Sequence, residues 1–477
     1  MLPECRQQLR DIETTEGIEV NRMIALKKDD FQQHPRWATL SSGPAVRTNR
    51  SSGLAERKRT IFVVHASDFL TDYRSHGDGL VAFGFIKHLA ARGHRLLVAT
   101  RRTELRGPLP SNVTVFQLPG KVGVAPWDRV EYMVRVRLLF EQLRRSHSID
   151  VIHQMNPVFT GISLSMAFSG LPLVLGTFVP QWPEAIEVRS RRLPGTVQVR
   201  ATAKKLICRF QQRMASALML TSPAALDRIA HREEMTAKLF SLQHGIDTDL
   251  FSPDPDRAPG PVRAQSPTIL FYANVLARKG VFVLLRAFGQ LARALPRCRL
   301  VIAGSGPDLW RVKRDAENMS AGSRIDFLGF VDHSRAPELL RQHDVYCLPS
   351  FGEPYGMTIL EAMSCGRPVV ASNAGGVPYL LPEDGARLVP VGDAPALAQA
   401  LIEVASNPEL QAAMGKANRN RVEEMFAWPQ VAVELEKIYE HVLQQDRRND
   451  PPPDRDQVQS RIRIQGRGSP RLTRSTS

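Results

Sequence analysis

One pattern constrains the fold of this chain more than any other: a short β-branched apolar run, then a loop, often glycine-bearing, then a helical run, repeated. Thr60 to Ala66 reads as a strand, Ser75-His-Gly-Asp-Gly79 as a loop, Leu80 to Ala91 as a helix stopped by Gly93, and Arg95 to Thr100 as the next strand. Strands at Val113 to Leu118, Asp150 to His153, Leu173 to Gly176 and Ala217 to Thr221, with a long helix at Val130 to Arg145, continue the alternation. A helix between strands returns the chain to the same end of a sheet, so the strands must run largely parallel.

A link rich in Pro and Asp, Gly245 to Ala264, leads into a second round. Its strands are Thr268 to Tyr272, Arg299 to Ala303, Ile325 to Leu328, Val345 to Leu348, Val369 to Ala371 and Ala386 to Val389. Helices between and after them fall at Gly280 to Ala294, Asp308 to Asn318, Arg335 to Arg341, Thr358 to Cys365 and Pro395 to Val404. The expected architecture is α/β, two Rossmann-like domains facing each other across a cleft. The division is 1–59 as a poorly ordered N-terminal extension, 60–250 and 251–428 as the two domains, 429–445 as a terminal helix able to cross back to the first, and 446–477 as a disordered basic tail.

With 477 residues, 43% of them hydrophobic, the chain can build two cores. The net charge of +15 is locally concentrated: residues 181 to 214 carry eight Lys or Arg against Glu184 and Glu187. Nucleic acid, anionic lipid and phosphorylated metabolites all suit such charge. No helix-turn-helix, zinc-finger spacing or aromatic-basic motif accompanies it, which argues against nucleic acid. The five cysteines are scattered without a C-x-x-C pair, so a reducing compartment and no structural metal are expected. The amino terminus lacks a signal-peptide pattern and no apolar run reaches membrane-spanning length, which points to a soluble or peripherally bound cytoplasmic protein.

The chemistry concentrates in Ser350-Phe-Gly-Glu-Pro-Tyr-Gly-Met-Thr-Ile-Leu-Glu-Ala-Met-Ser-Cys-Gly-Arg-Pro368. Glu353 sits among Gly and Pro and reads as loop; Glu361 lies on a helix that Thr358 can cap. A loop carboxylate beside the free amides of a helix start suits a polyhydroxylated sugar joined to a phosphate.

From residue 60 to 443 the chain resembles glycosyltransferase family 4, the retaining enzymes of the GT-B fold. The resemblance rests on the Phe-Gly-Glu-x-x-Gly setting of the glutamate pair and on Cys365-Gly-Arg-Pro-Val-Val-Ala-Ser-Asn-Ala-Gly-Gly-Val-Pro378. Gly245-Ile-Asp247, Arg278-Lys-Gly280, Ile302-Ala-Gly-Ser-Gly-Pro307 and Phe327-Leu-Gly-Phe330 follow in the right order. It implies transfer of a sugar from a nucleotide diphosphate sugar to a saccharide or lipid-linked acceptor, without metal or cofactor. No Asp-x-Asp stands where a diphosphate-bound cation would need it.

Residue by residue, the resemblance implies that Glu361 binds the donor ribose and Glu353 the transferred sugar. Amides from Gly352 through Met357, Gly356 among them, hold that sugar, while Thr358 and Ile359 meet the phosphates. Lys279 neutralises the leaving diphosphate, with Arg278 as a second candidate. Gly77 and Gly79 form a glycine-rich approach to the diphosphate, Asn373 to Gly376 a phosphate-side loop, and Gly306, Phe330 and Val331 the surroundings of the base. Three departures stand out: Asn274 occupies the position of a family arginine, Tyr379 that of a further glutamate, and Met155 that of the second of two histidines. The first histidine, His153, is retained and is a catalytic candidate, against the alternative of a packed strand-end residue; Asn156 is a candidate for the missing polar contact. The basic segment Trp182 to Met214, interleaved with apolar residues, makes an anionic membrane surface a candidate partner.

Overall fold

The computed structural model describes residues 57–67, 69–73, 77–118, 126–156, 158–182, 206–254 and 266–449. Most of the N-terminal extension, His76, residues 183–205 of the basic segment and the tail from residue 450 lie outside these.

The first domain runs β1 (Thr60–His65), β2 (Leu70–Thr71), α1 (Gly77–Ala91), β3 (Arg95–Thr100), β4 (Thr103–Glu104), β5 (Val113–Gln117), α2 (Pro126–Ser146), β6 (Val151–Gln154), β7 (Leu173–Phe178), β8 (Ala217–Leu220), α3 (Arg232–Met235) and β9 (Leu239–Ser241). Its main sheet has the order β5-β3-β1-β6-β7-β8-β9, every pairing parallel. The period of two along β1 divides the core: Ile61 and Val63 face one apolar cluster, Phe62 and Val64 the other. β2 and β4 pair outside the main sheet. Both, like β9, are too short to show a period of their own.

The second domain runs β10 (Thr268–Tyr272), α4 (Val281–Ala294), β11 (Arg299–Ala303), α5 (Leu309–Glu317), β12 (Ile325–Gly329), α6 (Ala336–Gln342), β13 (Val345–Leu348), α7 (Met357–Ser364), β14 (Val369–Ser372), α8 (Val377–Leu380) and β15 (Ala386–Val389). α9 (Ala394–Ala405), α10 (Pro408–Met425) and α11 (Trp428–Asn449) complete the described chain. The sheet order is β12-β11-β10-β13-β14-β15, again parallel throughout. In each sheet the order reverses beside the first strand, between β1 and β6 and between β10 and β13. Such switch points leave a crevice at the carboxyl ends of the strands.

α11 belongs to the first domain by its packing. Trp428, Val431, Leu435, Ile438, Tyr439 and Val442 join the cluster of Ile61, Val63 and Phe85. The Trp428 ring meets Phe85 edge-on at 5.1 Å and stacks on His88 at 5.3 Å. Glycine is required beside it, because a Cβ at Gly84 or Gly245 would lie 1.9 or 2.3 Å from the indole. Glu436 adds an ion pair to Arg92 at 2.6 Å and a hydrogen bond with His94 Nε2 at 2.5 Å. Burial at roughly 2 kcal/mol per large apolar side chain outweighs partly solvated ion pairs worth about 1 kcal/mol or less. The apolar stripe therefore fixes the helix on the first domain. Ile246 bridges Ala427, so the two chain crossings between the domains lie side by side.

Candidate active site

A cavity of about 720 Å³ lies between the domains, where the carboxyl ends of both sheets meet. From the first domain Gly77, Asp78, Lys87, His88 and Asn156 line it; from the second, Asn274, Arg278, Lys279, Glu353 and Glu361.

Local sequence explains the second-domain wall. After β13 the chain turns through Pro349 to Gly356 and enters α7. Gly356, at φ 96°, is the residue before the helix, and no side chain caps it. Thr358 is therefore not the cap. It lies inside the first turn, and its hydroxyl accepts from the Tyr346 hydroxyl at 2.7 Å. The amides of Met357 and Thr358 have no carbonyl a turn earlier to bond, and both residues line the cavity, so the positive end of α7 faces the cleft.

Glu353 is 7% exposed and pairs with Lys279 at 2.5 Å. Gly375 and Gly376 back this loop: the Gly376 amide donates to the Glu353 carbonyl at 2.9 Å, and a Cβ at Gly375, where φ is 61°, would lie 2.1 Å from that oxygen. The Asn373-to-Gly376 loop thus braces Glu353 from behind rather than lining the cleft. Lys279 is placed by the turn at Gly280, whose φ of 78° and closeness to the Pro349 carbonyl admit only glycine.

Glu361 is 5% exposed, one turn further along α7. His333 Nε2 donates to its Oε1 at 3.2 Å, while Oε2 is buried without a partner. Burial of His333 opposes its charge, but the bond to Glu361 and the charges of Glu361 and Asp332 outweigh it, so its pKa is raised. One oxygen of Glu361 is thereby held, and the other is open to a donor from a ligand. His333 follows Phe330 and Val331, which also line the cavity, and nothing in its local sequence marks it; its partner lies 28 positions away.

Several expected site residues stand elsewhere. His153 is fully buried on β6 beneath α11, with Nδ1 bonded to the Tyr439 hydroxyl at 2.6 Å, and it does not line the cavity. Burial lowers its pKa to about 4, so it is a neutral packing histidine. This is the place that the packed strand-end alternative describes, outside the cavity lining where a catalytic His153 would be expected. Ile359 is 0% exposed and points into the core. Gly79 is buried within α1, which begins at Gly77, so the described part of the expected loop, Gly77 to Gly79, is helix, and of it only Gly77 and Asp78 reach the cleft. Gly306 packs on the Val275 backbone, and Gly304 and Ser305 line the cavity in its place. Asn156 lines the cavity, whereas Met155 is core.

Side chains from the first domain cross to the second, Arg106 to Asp332 at 3.7 Å and Trp182 at the cleft. The Trp182 ring lies 4.5 Å from the Arg278 guanidinium and 5.2 Å from Lys279 Nζ. Nearer the hinge, His244 packs against Tyr355 at 4.3 Å, and burial lowers its pKa to about 3.

Two parallel α/β domains with a cleft at their switch points define the GT-B fold, and solved structures of that fold superpose. Sucrose-phosphate synthase from Thermosynechococcus elongatus matches with a TM-score of 0.63 at 22% identity, over 81% of this chain and 100% of that one. Anabaena Alr3699/HepE, solved in complex with UDP and glucose, matches with a TM-score of 0.59 at 18% identity, over 79% and 98%. Residues 254–421 match the family model of the glycosyl transferases group 1, and the resemblance to family 4 is borne out. Among relatives, the GDP-mannose-dependent alpha-(1-6)-phosphatidylinositol monomannoside mannosyltransferase of Mycolicibacterium smegmatis is 30% identical over 45% of this chain and 59% of its own length. Phosphatidyl-myo-inositol mannosyltransferase of the same organism is 33% identical over 46% and 56%. The chain spans about half the length of the curated relatives it matches.

Proposed function

We propose that this protein transfers a sugar from a nucleotide diphosphate sugar to a hydroxyl acceptor with retention of anomeric configuration. The observation that carries the reading is the convergence of the open Glu361 oxygen, the Glu353–Lys279 pair and the free amides of α7 on one interdomain cavity. In this reading Glu361 accepts from the ribose, Glu353 orients the transferred sugar, and Lys279 with the α7 amides stabilises charge growing on the leaving diphosphate. The bond from the anomeric carbon to the diphosphate breaks as the bond to the acceptor oxygen forms on the same face. The acceptor proton passes to the departing phosphate oxygen, so no acid-base carboxylate pair of the glycosidase kind takes part. Charge is neutralised by protein groups, which makes the reaction metal-independent.

The acceptor in this reading is a glycan or lipid-linked saccharide presented at the cytoplasmic face of a membrane, in cell-surface polysaccharide synthesis. Relatives named for phosphatidylinositol lipids support a lipid acceptor. Exposed Leu206, Ile207 and Phe210 beside Arg209 support contact with an anionic surface. Failure to bind anionic vesicles at both low and high salt would count against it.

The test is a panel of UDP-, GDP- and ADP-sugars with mixed acceptors, read by product mass and by NMR of the new anomeric centre. An inverted product refutes retention, and lost activity in chelator restored by manganese refutes metal independence. A second reading, a non-catalytic nucleotide-sugar sensor, is favoured by the uncharged Asn274 in the cavity wall. Donor binding with neither transfer nor slow hydrolysis would establish it.

A further inference from the structure

On the second-domain wall of the proposed donor site, the balance of charge among the described residues leaves Arg278 unaccounted for. Lys279 is already neutralised by Glu353, and Asn274 contributes no charge. Arg278 has no carboxylate partner among the described residues, lines the cavity, and keeps its Nε buried without an acceptor. What holds it there is not in its own domain. Trp182, on the loop leaving β7, lies against its guanidinium at 4.5 Å. That loop is itself anchored: the Gln181 amide donates to Asp227 at 3.1 Å and Arg228 Nε donates to the Val179 carbonyl at 3.3 Å.

We infer that Trp182 is a positioning residue that holds Arg278 as the second diphosphate-binding cation, so that this cation is in place only while the two domains are together. The inference rests on the donor-site reading above. A guanidinium stacked by its face on an aromatic ring keeps its in-plane N–H groups free, and that edge is what grips phosphate oxygens in a fork. The ring contact therefore holds Arg278 over the indole without consuming the terminal N–H groups that a diphosphate needs. Successive side chains on the turn Ala277–Lys279 diverge, yet both Arg278 and Lys279 come within reach of the one indole, at 4.5 and 5.2 Å. One ring thus contacts both cations and hinders Arg278 from swinging into solvent. Because Trp182 and Arg278 sit on opposite domains, opening the cleft would release the guanidinium and weaken the hold on the leaving nucleotide.

The experiment compares Trp182→Phe, Trp182→Leu, Arg278→Ala and the Leu/Ala double variant of the full chain. UDP, GDP and ADP are titrated by calorimetry beside their phosphate-free nucleosides, and unfolding midpoints check folding. Trp182→Leu should weaken the preferred nucleoside diphosphate by about tenfold, Trp182→Phe by no more than about threefold, and neither should alter nucleoside binding. Arg278→Ala should match Trp182→Leu, and the double variant should lose no more than Arg278→Ala alone. Wild-type affinity in Trp182→Leu, equal losses for diphosphate and nucleoside, or additive losses in the double variant would each overturn the inference while leaving the donor-site reading intact. A wild-type protein that binds none of the three diphosphates would take down both.

Discussion

The two walls of the cleft are built differently. On the second domain the functional carboxylates are already paired or held: Glu353 by Lys279, Glu361 by His333, with Gly375 and Gly376 bracing the loop behind. On the first domain the wall is the start of α1, Asn156 at the end of β6, and Lys87 and His88 further along α1. The wall with fixed charges is also the one inside the family match, residues 254–421. In the proposed reading, a nucleotide diphosphate presents one constant shape and charge, and a preorganised wall answers it. An acceptor varies between enzymes, and a wall of a few loop and helix side chains can vary with it.

Breaking the second wall should have the largest effect. Glu353→Gln removes the charge that orients Lys279, and turnover should fall by about 100-fold with little change in donor KM, measured as initial rates with the donor identified by screening. Equal kinetics would show that the paired wall is not where the chemistry lies. Glu361→Gln, on the same wall, should instead act on binding, raising the donor KM by about tenfold, as expected for a lost hydrogen bond to a charged acceptor.

Support behind the wall comes next. Gly375→Ala puts a Cβ against the Glu353 carbonyl at a positive φ and should destabilise the fold by about 2 kcal/mol in urea unfolding, while slowing turnover through a displaced Glu353. If stability falls and turnover does not, the loop braces only the fold.

Titration separates the second wall from the core of the first domain as well. The raised pKa of His333 means that its pairing with Glu361 contributes stability in full below the ordinary histidine value of 6.5 and loses it as pH rises through the higher folded value. Wild type minus His333→Gln, followed by unfolding against pH, should therefore shrink toward alkaline pH. His153 behaves oppositely: its folded pKa near 4 leaves stability intact above 6.5 and erodes it as pH falls toward 4. Tyr439→Phe removes its hydrogen bond and should cost about 1 kcal/mol, with kcat unchanged because His153 lies outside the cleft. A drop in kcat there would return His153 to the site.

The sequence by itself determined the two parallel sheets. Thr268–Tyr272, Arg299–Ala303, Val345–Leu348 and Ala386–Val389 fall where the apolar runs place them, because the period of a strand and the stop signals of a helix are local properties. It also determined the Glu353 to Glu361 segment, whose spacing along one loop and one helix keeps both carboxylates near one helix start. Only the tertiary structure decided which other residues join them. His333 reaches Glu361, Trp182 reaches Arg278 and Tyr439 reaches His153 across 28, 96 and 286 positions, and no periodic pattern records a contact made at that distance. His153 shows the physical reason most directly: its strand leads toward the cleft, but the apolar stripe of α11 has to be buried somewhere, and it is buried over that histidine.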